Sequence, residues 1–154
     1  MNPTLKSYKV VFERDLDRLK NELSLYKDEQ NLWVVESEIA NSAGNLFLHL
    51  CGNLKHFIGA VLGDSGYVRQ REKEFGDKGV SRADIDKNID ETLAVVSKTL
   101  EELDPAKLEE EYPIPVFHNK GVVVDTNTFI LHLSGHLMYH IGQINYHRRL
   151  IDAR

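Results

Sequence analysis

Residues 125–151, DTNTFILHLSGHLMYHIGQINYHRRLI, hold His132, His136, His140 and His147, four of the chain's seven histidines, in one uninterrupted helical pattern. With His136 at zero and about 100° per residue, His140 falls at about 40° and His132 at about −40°, while Phe129 lies at about 20° and Leu133 at about 60°. One face therefore carries both apolar residues and imidazoles. A buried polar group costs about 1–3 kcal/mol unless it finds a partner, and a metal ion is one such partner. A single histidine on an apolar face is ordinarily a core residue with an ordinary hydrogen bond. Two at i and i+4 are different, because their Cβ atoms stand about 5–6 Å apart on adjacent turns. Two ring nitrogens can then reach one ion at about 2.0–2.1 Å each. The spacing is that of HExxH, yet Leu137, Met138 and Tyr139 lie between His136 and His140, so no glutamate base is built in and protease chemistry of that kind is excluded.

The elements that must position this pair are helical. At 154 residues the chain is long enough for one domain, 1–154, with a single core. Its net charge of −5 argues against a nucleic-acid partner, whose phosphates ask for a basic face. Neither a spanning apolar run nor an apolar leader stands out, so no membrane role is expected. The lone cysteine, Cys51, has no internal partner, and a cytoplasmic, reducing setting is expected.

Tyr8, Phe12, Leu16, Leu19, Leu23 and Tyr26 recur at three and four residues, which predicts an amphipathic first helix over residues 5–26. Asn41 or Ser42 can cap a second helix that runs to about residue 62. Ser81 and Asp84 form a capping box for a third, whose stripe of Ile85, Ile89, Leu93, Val96, Leu100 and Leu103 ends at Asp104-Pro105. The fourth is the histidine helix. Residues 63–82, rich in glycine and charge, are expected to wrap the helices or meet a second copy. Residues 112–124 suggest a short hairpin around Asn119-Lys120-Gly121. Trp33, in the link before helix two, is expected to cover one end of the core, with a substrate contact as the alternative. The pattern as a whole is that of an all-α bundle.

A third ligand must come from another helix. On helix two His49 and His56 point with the core-facing residues, but seven residues separate them by about 10 Å along the axis. If helices alternate in direction, helices two and four run parallel, and His49 and His136 both lie about 12–15 Å from their starts. That selects His49, His136 and His140 and leaves His56 too deep. His132 is then a rim residue or reserve ligand, and His147 a polar anchor near Arg148 and Arg149. The same orientation brings Trp33, Tyr112, His118 and Asn119 to the site's opening and starts residues 63–82 at the far end. No carboxylate stands out beside the triad.

NSAGNLFLHLCGNLKHFIGAVLG, GYVRQREKEF and LHLSGHLMYHIGQINYHRRL resemble, over most of the chain, the DinB-like (DinB/YfiT-like) family of small metalloenzymes. The likeness is greatest to a branch of uncharacterised bacterial proteins carrying LxLHLxGNL and HLxYHxGQINYHRRL. The resemblance implies a four-helix bundle in a mirror variant of up-and-down topology, commonly a homodimer. It also implies a divalent metal, zinc or nickel, held by His49, His136 and His140, and it keeps Gln143 of the HxGQ piece in view with no assigned role.

Three functions follow as expectations. One is a metal-dependent, hydrolase-like enzyme acting on a small molecule through water or substrate at the open coordination positions. Another is an S-transferase that uses a low-molecular-weight thiol such as bacillithiol, mycothiol or glutathione. The third is a non-catalytic, dimeric metal-binding bundle.

Overall fold

The computed structural model of the protein describes residues 1–117 and 122–153. His118 and Asn119, expected at the opening, lie outside the described residues. Four long helices carry the chain: α1 (Pro3–Ser24), α2 (Ala43–Leu54), α4 (Arg82–Glu102) and α5 (Thr126–His147). A short helix, α3 (Arg71–Gly76), interrupts the glycine- and charge-rich segment between α2 and α4. Wider π turns, Lys55–Ala60 and Arg148–Asp152, prolong α2 and α5.

Each long helix starts where a side chain satisfies free backbone donors. Asn2 accepts from the N–H groups of Thr4 and Leu5, with Pro3 already in the first turn. Ser42 accepts from Asn45 N–H at 3.2 Å, Ser81 from Asp84 N–H at 3.1 Å and Asp125 from Thr128 N–H at 2.6 Å. The apolar stripes meet in one buried cluster that includes Phe12, Leu16, Leu19, Phe47, Leu50, Leu54, Ile89, Val96, Leu133, Leu137 and Ile144. Among the described residues there is no strand. The turn of the expected hairpin, Asn119-Lys120-Gly121, lies outside the described residues, and the flanking segments meet in a single antiparallel bridge between Glu111 and Asp125.

Paired residues fix the helix directions. Tyr8 donates to Asn127, and Glu22 near the other end of α1 meets Arg148, so α1 and α5 are parallel. Lys9 reaches Glu101 and Lys20 reaches Asp90, so α4 runs against α1. Lys55 meets Asn88, and a Cβ on Gly63 would strike Thr99, so α2 runs with α4. Phe57 packs on Phe129, while Leu46 shares a cleft with His147 and Leu150, so α2 and α5 are antiparallel. This overturns the expectation that they run side by side in the same direction. Simple alternation of direction presumes short links, whereas residues 61–81 form a long crossover that travels back along the molecule before α4 begins.

Candidate metal centre

α5 places its imidazoles at the edge of its buried stripe rather than within it. Ile130, Leu133, Leu137, Ile141 and Ile144 face the core, and His136 and His140 flank them, half-buried, on the side of α2. From α2 comes His49, only 7% exposed. One ligand atom from each of these three rings lies within 4.8 Å of the others. His49 Nε2 and His136 Nε2 are 3.2 Å apart, close to the separation of about 3.3 Å set by two nitrogens around one tetrahedral ion at about 2.0–2.1 Å. The ring centroids of His136 and His140 stand 4.6 Å apart, that of His49 5.2 Å from His140.

The far nitrogens decide which way the lone pairs point. His49 Nδ1 lies 3.0 Å from Glu74 Oε1, and a carboxylate can only accept there, so Nδ1 carries the proton and Nε2 is bare. His140 Nδ1 donates likewise to Gln143 Oε1 at 2.6 Å. His136 Nδ1 is buried without a partner. Nothing ties down its tautomer, and its Nε2 is free to serve either as a donor to His49 or as a ligand. Burial pushes His136 down to about 3, and electrostatic repulsion within the group of His140, His49, His132 and Arg69 adds to it. Burial lowers His140 too, against the bond to Gln143. Neutral imidazoles with free lone pairs are what a divalent cation needs. The donor set therefore fits the metal that the sequence led us to expect.

Sequence reasoning missed two residues of this centre. Glu74, on α3, is buried beside His49, although no carboxylate was expected near the triad. Burial pushes Glu74 up, but the Arg69 hydrogen bonds and His49 outweigh it and hold the carboxyl below its usual range. Arg69 grips Glu74 in a fork, Nε to Oε2 at 2.9 Å and Nη2 to Oε1 at 2.8 Å, and covers the Phe57 ring at 5.5 Å. The available signal was Gly52, a glycine inside a helix three residues after His49. A Cβ there would overlap the Glu74 carboxylate, so only glycine admits it.

The remaining expected residues divide. Gln143 reaches the centre through His140 and also lines a cleft of about 340 Å³ with Leu46, Tyr146 and Leu150. His132 is exposed and does not join the three; it stacks on Phe129 and meets Phe117 edge-on at 5.0 Å. Trp33 is not at the site. Its ring lies over Gly44 at the start of α2, because antiparallel packing sends residues 27–40 and 104–117 to opposite ends. His56 is half-buried against Phe57.

Residues 1–154 match the family model described as Protein of unknown function (DUF1572). No curated protein matches the chain.

Proposed function

We propose, on the premise that the chain belongs to the DUF1572 family, a DinB-like family, that it is a metal-dependent enzyme of hydrolase-like chemistry with a zinc or nickel ion on His49, His136 and His140. One observation carries the reading: two of the three rings have their Nδ1 protons tied to Glu74 and Gln143, which turns bare Nε2 atoms toward a common point. Two bare Nε2 atoms and the adaptable Nε2 of His136 thus converge where one cation could take all three lone pairs. A divalent ion there supplies Lewis acidity, drawing the pKa of water from about 15.7 toward about 7 and polarising a carbonyl.

The chain's own groups do the rest. His49, His136 and His140 bind, while Glu74 and Gln143 orient two of them. Phe57, Phe117 and Phe129 form an aromatic wall beside His132. His132, outside the ligand set and exposed, stands beside the centre where a substrate could meet it. Cys51 is not the thiol of a transfer reaction, because it is buried and pushed up to about 11 by that burial.

The test is turnover of an ester and amide panel by zinc- or nickel-loaded protein. Loss of activity on chelation and in His136→Ala is expected, whereas full turnover by metal-free protein overturns the reading. Titrating glutathione, bacillithiol and mycothiol into cobalt-loaded protein separates hydrolysis from S-transfer, since a thiolate-to-metal band would favour the transferase. A large loss of melting temperature on chelation, with no turnover on either panel, favours the non-catalytic bundle.

The same kinship supports a single domain with its four long helices in the family's mirror-variant bundle, acting in the cytoplasm as a homodimer. No helix among the described residues is long and apolar enough to cross a membrane. The outward face of α5 exposes Leu131, Tyr139, Tyr146 and Leu150, with nothing within 4 Å of a Cβ on Gly135 or Gly142. A second copy covering this stripe predicts a dimer in sedimentation, lost in Tyr139→Glu/Tyr146→Glu. A monomeric parent chain overturns that part.

A further inference from the structure

The crossover between α2 and α4 is charged and carries a helix of six residues, too short to hold itself together, since isolated helices below about 12–15 residues are marginal in water. It is nevertheless pinned at two depths. Asn45 Nδ2 on α2 donates to the carbonyl oxygens of Glu74 at 2.9 Å and Asp77 at 2.8 Å, which holds the end of α3. The second pin is the Glu74 side chain, which enters the space left by Gly52 and ends on His49. Arg69 closes the arrangement from the preceding turn with both donors of its fork, and its Nη2 also stands 3.4 Å from His49 Nδ1.

We propose that the Arg69–Glu74 pair is a latch that couples docking of the crossover to metal retention, with Glu74 as the positioning residue that keeps His49 in its Nδ1–H form, aimed at His136 and His140. The inference rests on the metal reading of the triad. Without Glu74, the group left beside His49 Nδ1 is Arg69, which only donates. Nδ1 then becomes an acceptor, the ring proton moves to Nε2, and the ligand position is blocked. Because linkage is reciprocal, an ion that favours the Nδ1–H form also favours the docked crossover. Outer carboxylates that hold a ligating imidazole characteristically set affinity within about 10- to 100-fold.

The experiment uses the full chain with zinc and cobalt as probes, read by chelator competition, by nitrogen NMR of the imidazoles in metal-free protein and by amide exchange over residues 71–76. The expected results are an Nδ1–H tautomer of His49 in the parent protein and an Nε2–H tautomer in Glu74→Ala, with affinity about 100-fold weaker. In Glu74→Gln, which keeps an acceptor but not the charge, the Nδ1–H tautomer persists and affinity falls about 10-fold. Added zinc slows exchange across α3 in the parent and not in Glu74→Ala. Gly52→Ala reaches the latch from the other side, raising helix propensity while expelling the carboxylate, and is expected to weaken metal binding without lowering the melting temperature. If Glu74→Ala fails to fold, Glu74→Gln and Gly52→Ala carry the test. Parent-like affinity in both, or unchanged α3 exchange on saturation with zinc, overturns the latch. A parent chain that binds no metal overturns the metal reading instead. The tautomers in metal-free protein then decide the positioning role alone, and an Nε2–H His49 in the parent overturns it.

Discussion

Helix α5 carries buried imidazoles in two settings, and they solve the cost of burial in opposite ways. At its C-terminal end His147, 4% exposed, is fully matched: Nδ1 faces the Tyr26 hydroxyl at 2.8 Å and Nε2 faces Val34 O at 2.8 Å. The carbonyl only accepts, so Nε2 carries the proton and Nδ1 accepts from Tyr26. Three turns earlier His136 has one nitrogen without a partner and the other 3.2 Å from the bare Nε2 of His49. The first arrangement is closed and needs nothing added. The second leaves ring nitrogens that a cation could take. Residue type and helix are shared, so the partners separate an anchor from a candidate site.

The sharpest way to break this comparison is to remove one ring from each setting. His136→Ala should abolish high-affinity zinc binding, a loss beyond the roughly 100-fold that outer residues produce, while His147→Ala should leave chelator competition unchanged. Equal effects would erase the distinction. Stability should report the reverse. His147→Ala strands the Tyr26 hydroxyl and Val34 carbonyl and should cost about 1–3 kcal/mol in denaturant unfolding of the metal-free protein. His136→Ala should cost less, since its Nδ1 has no partner to strand.

Acid sharpens the contrast further. His136 is held down to about 3 in the folded protein, against about 6.5 in the unfolded chain. The unfolded state therefore binds more protons between those values, so stability present above about pH 6.5 is lost as pH falls toward 3. Urea midpoints of metal-free protein at pH 7 and pH 4 should differ less in His136→Gln than in the parent. His147 is also lowered by burial, opposed by its bond to Val34, so His147→Gln should flatten the slope to a smaller degree. The smallest effect is expected from Gln143→Ala. Its bond to His140 is exposed to solvent, and metal affinity should fall by less than about 10-fold.

Much of this was legible in the sequence, for reasons the comparison makes plain. Apolar spacing and the caps at Ser42 and Ser81 mark the long helices because both are local properties. The trio His49, His136 and His140 was reached through an argument that set α2 and α5 parallel, and their true orientation is antiparallel. The error did little harm at the centre, because His49 lies near the middle of α2 with its π extension and the pair near the middle of α5. Reversing a helix exchanges its ends and leaves its middle in place. At the ends the same error was costly: Trp33 was brought toward the opening, and the crossover was sent away from a site to which it contributes Glu74. An ion-pair partner delivered by a short helix leaves no periodicity to read, and only Gly52 marked its place.

The two sides of the centre, His49 and His136, are 87 residues apart in the chain. Of the three rings, an unfolded chain can bring together only His136 and His140 by local helix formation. Contacts of such sequence separation pay their loop-closure entropy late and slow folding. Nascent chain leaving the ribosome thus offers cations a weak bidentate grip at most, and full chelation marks the completion of folding rather than its beginning.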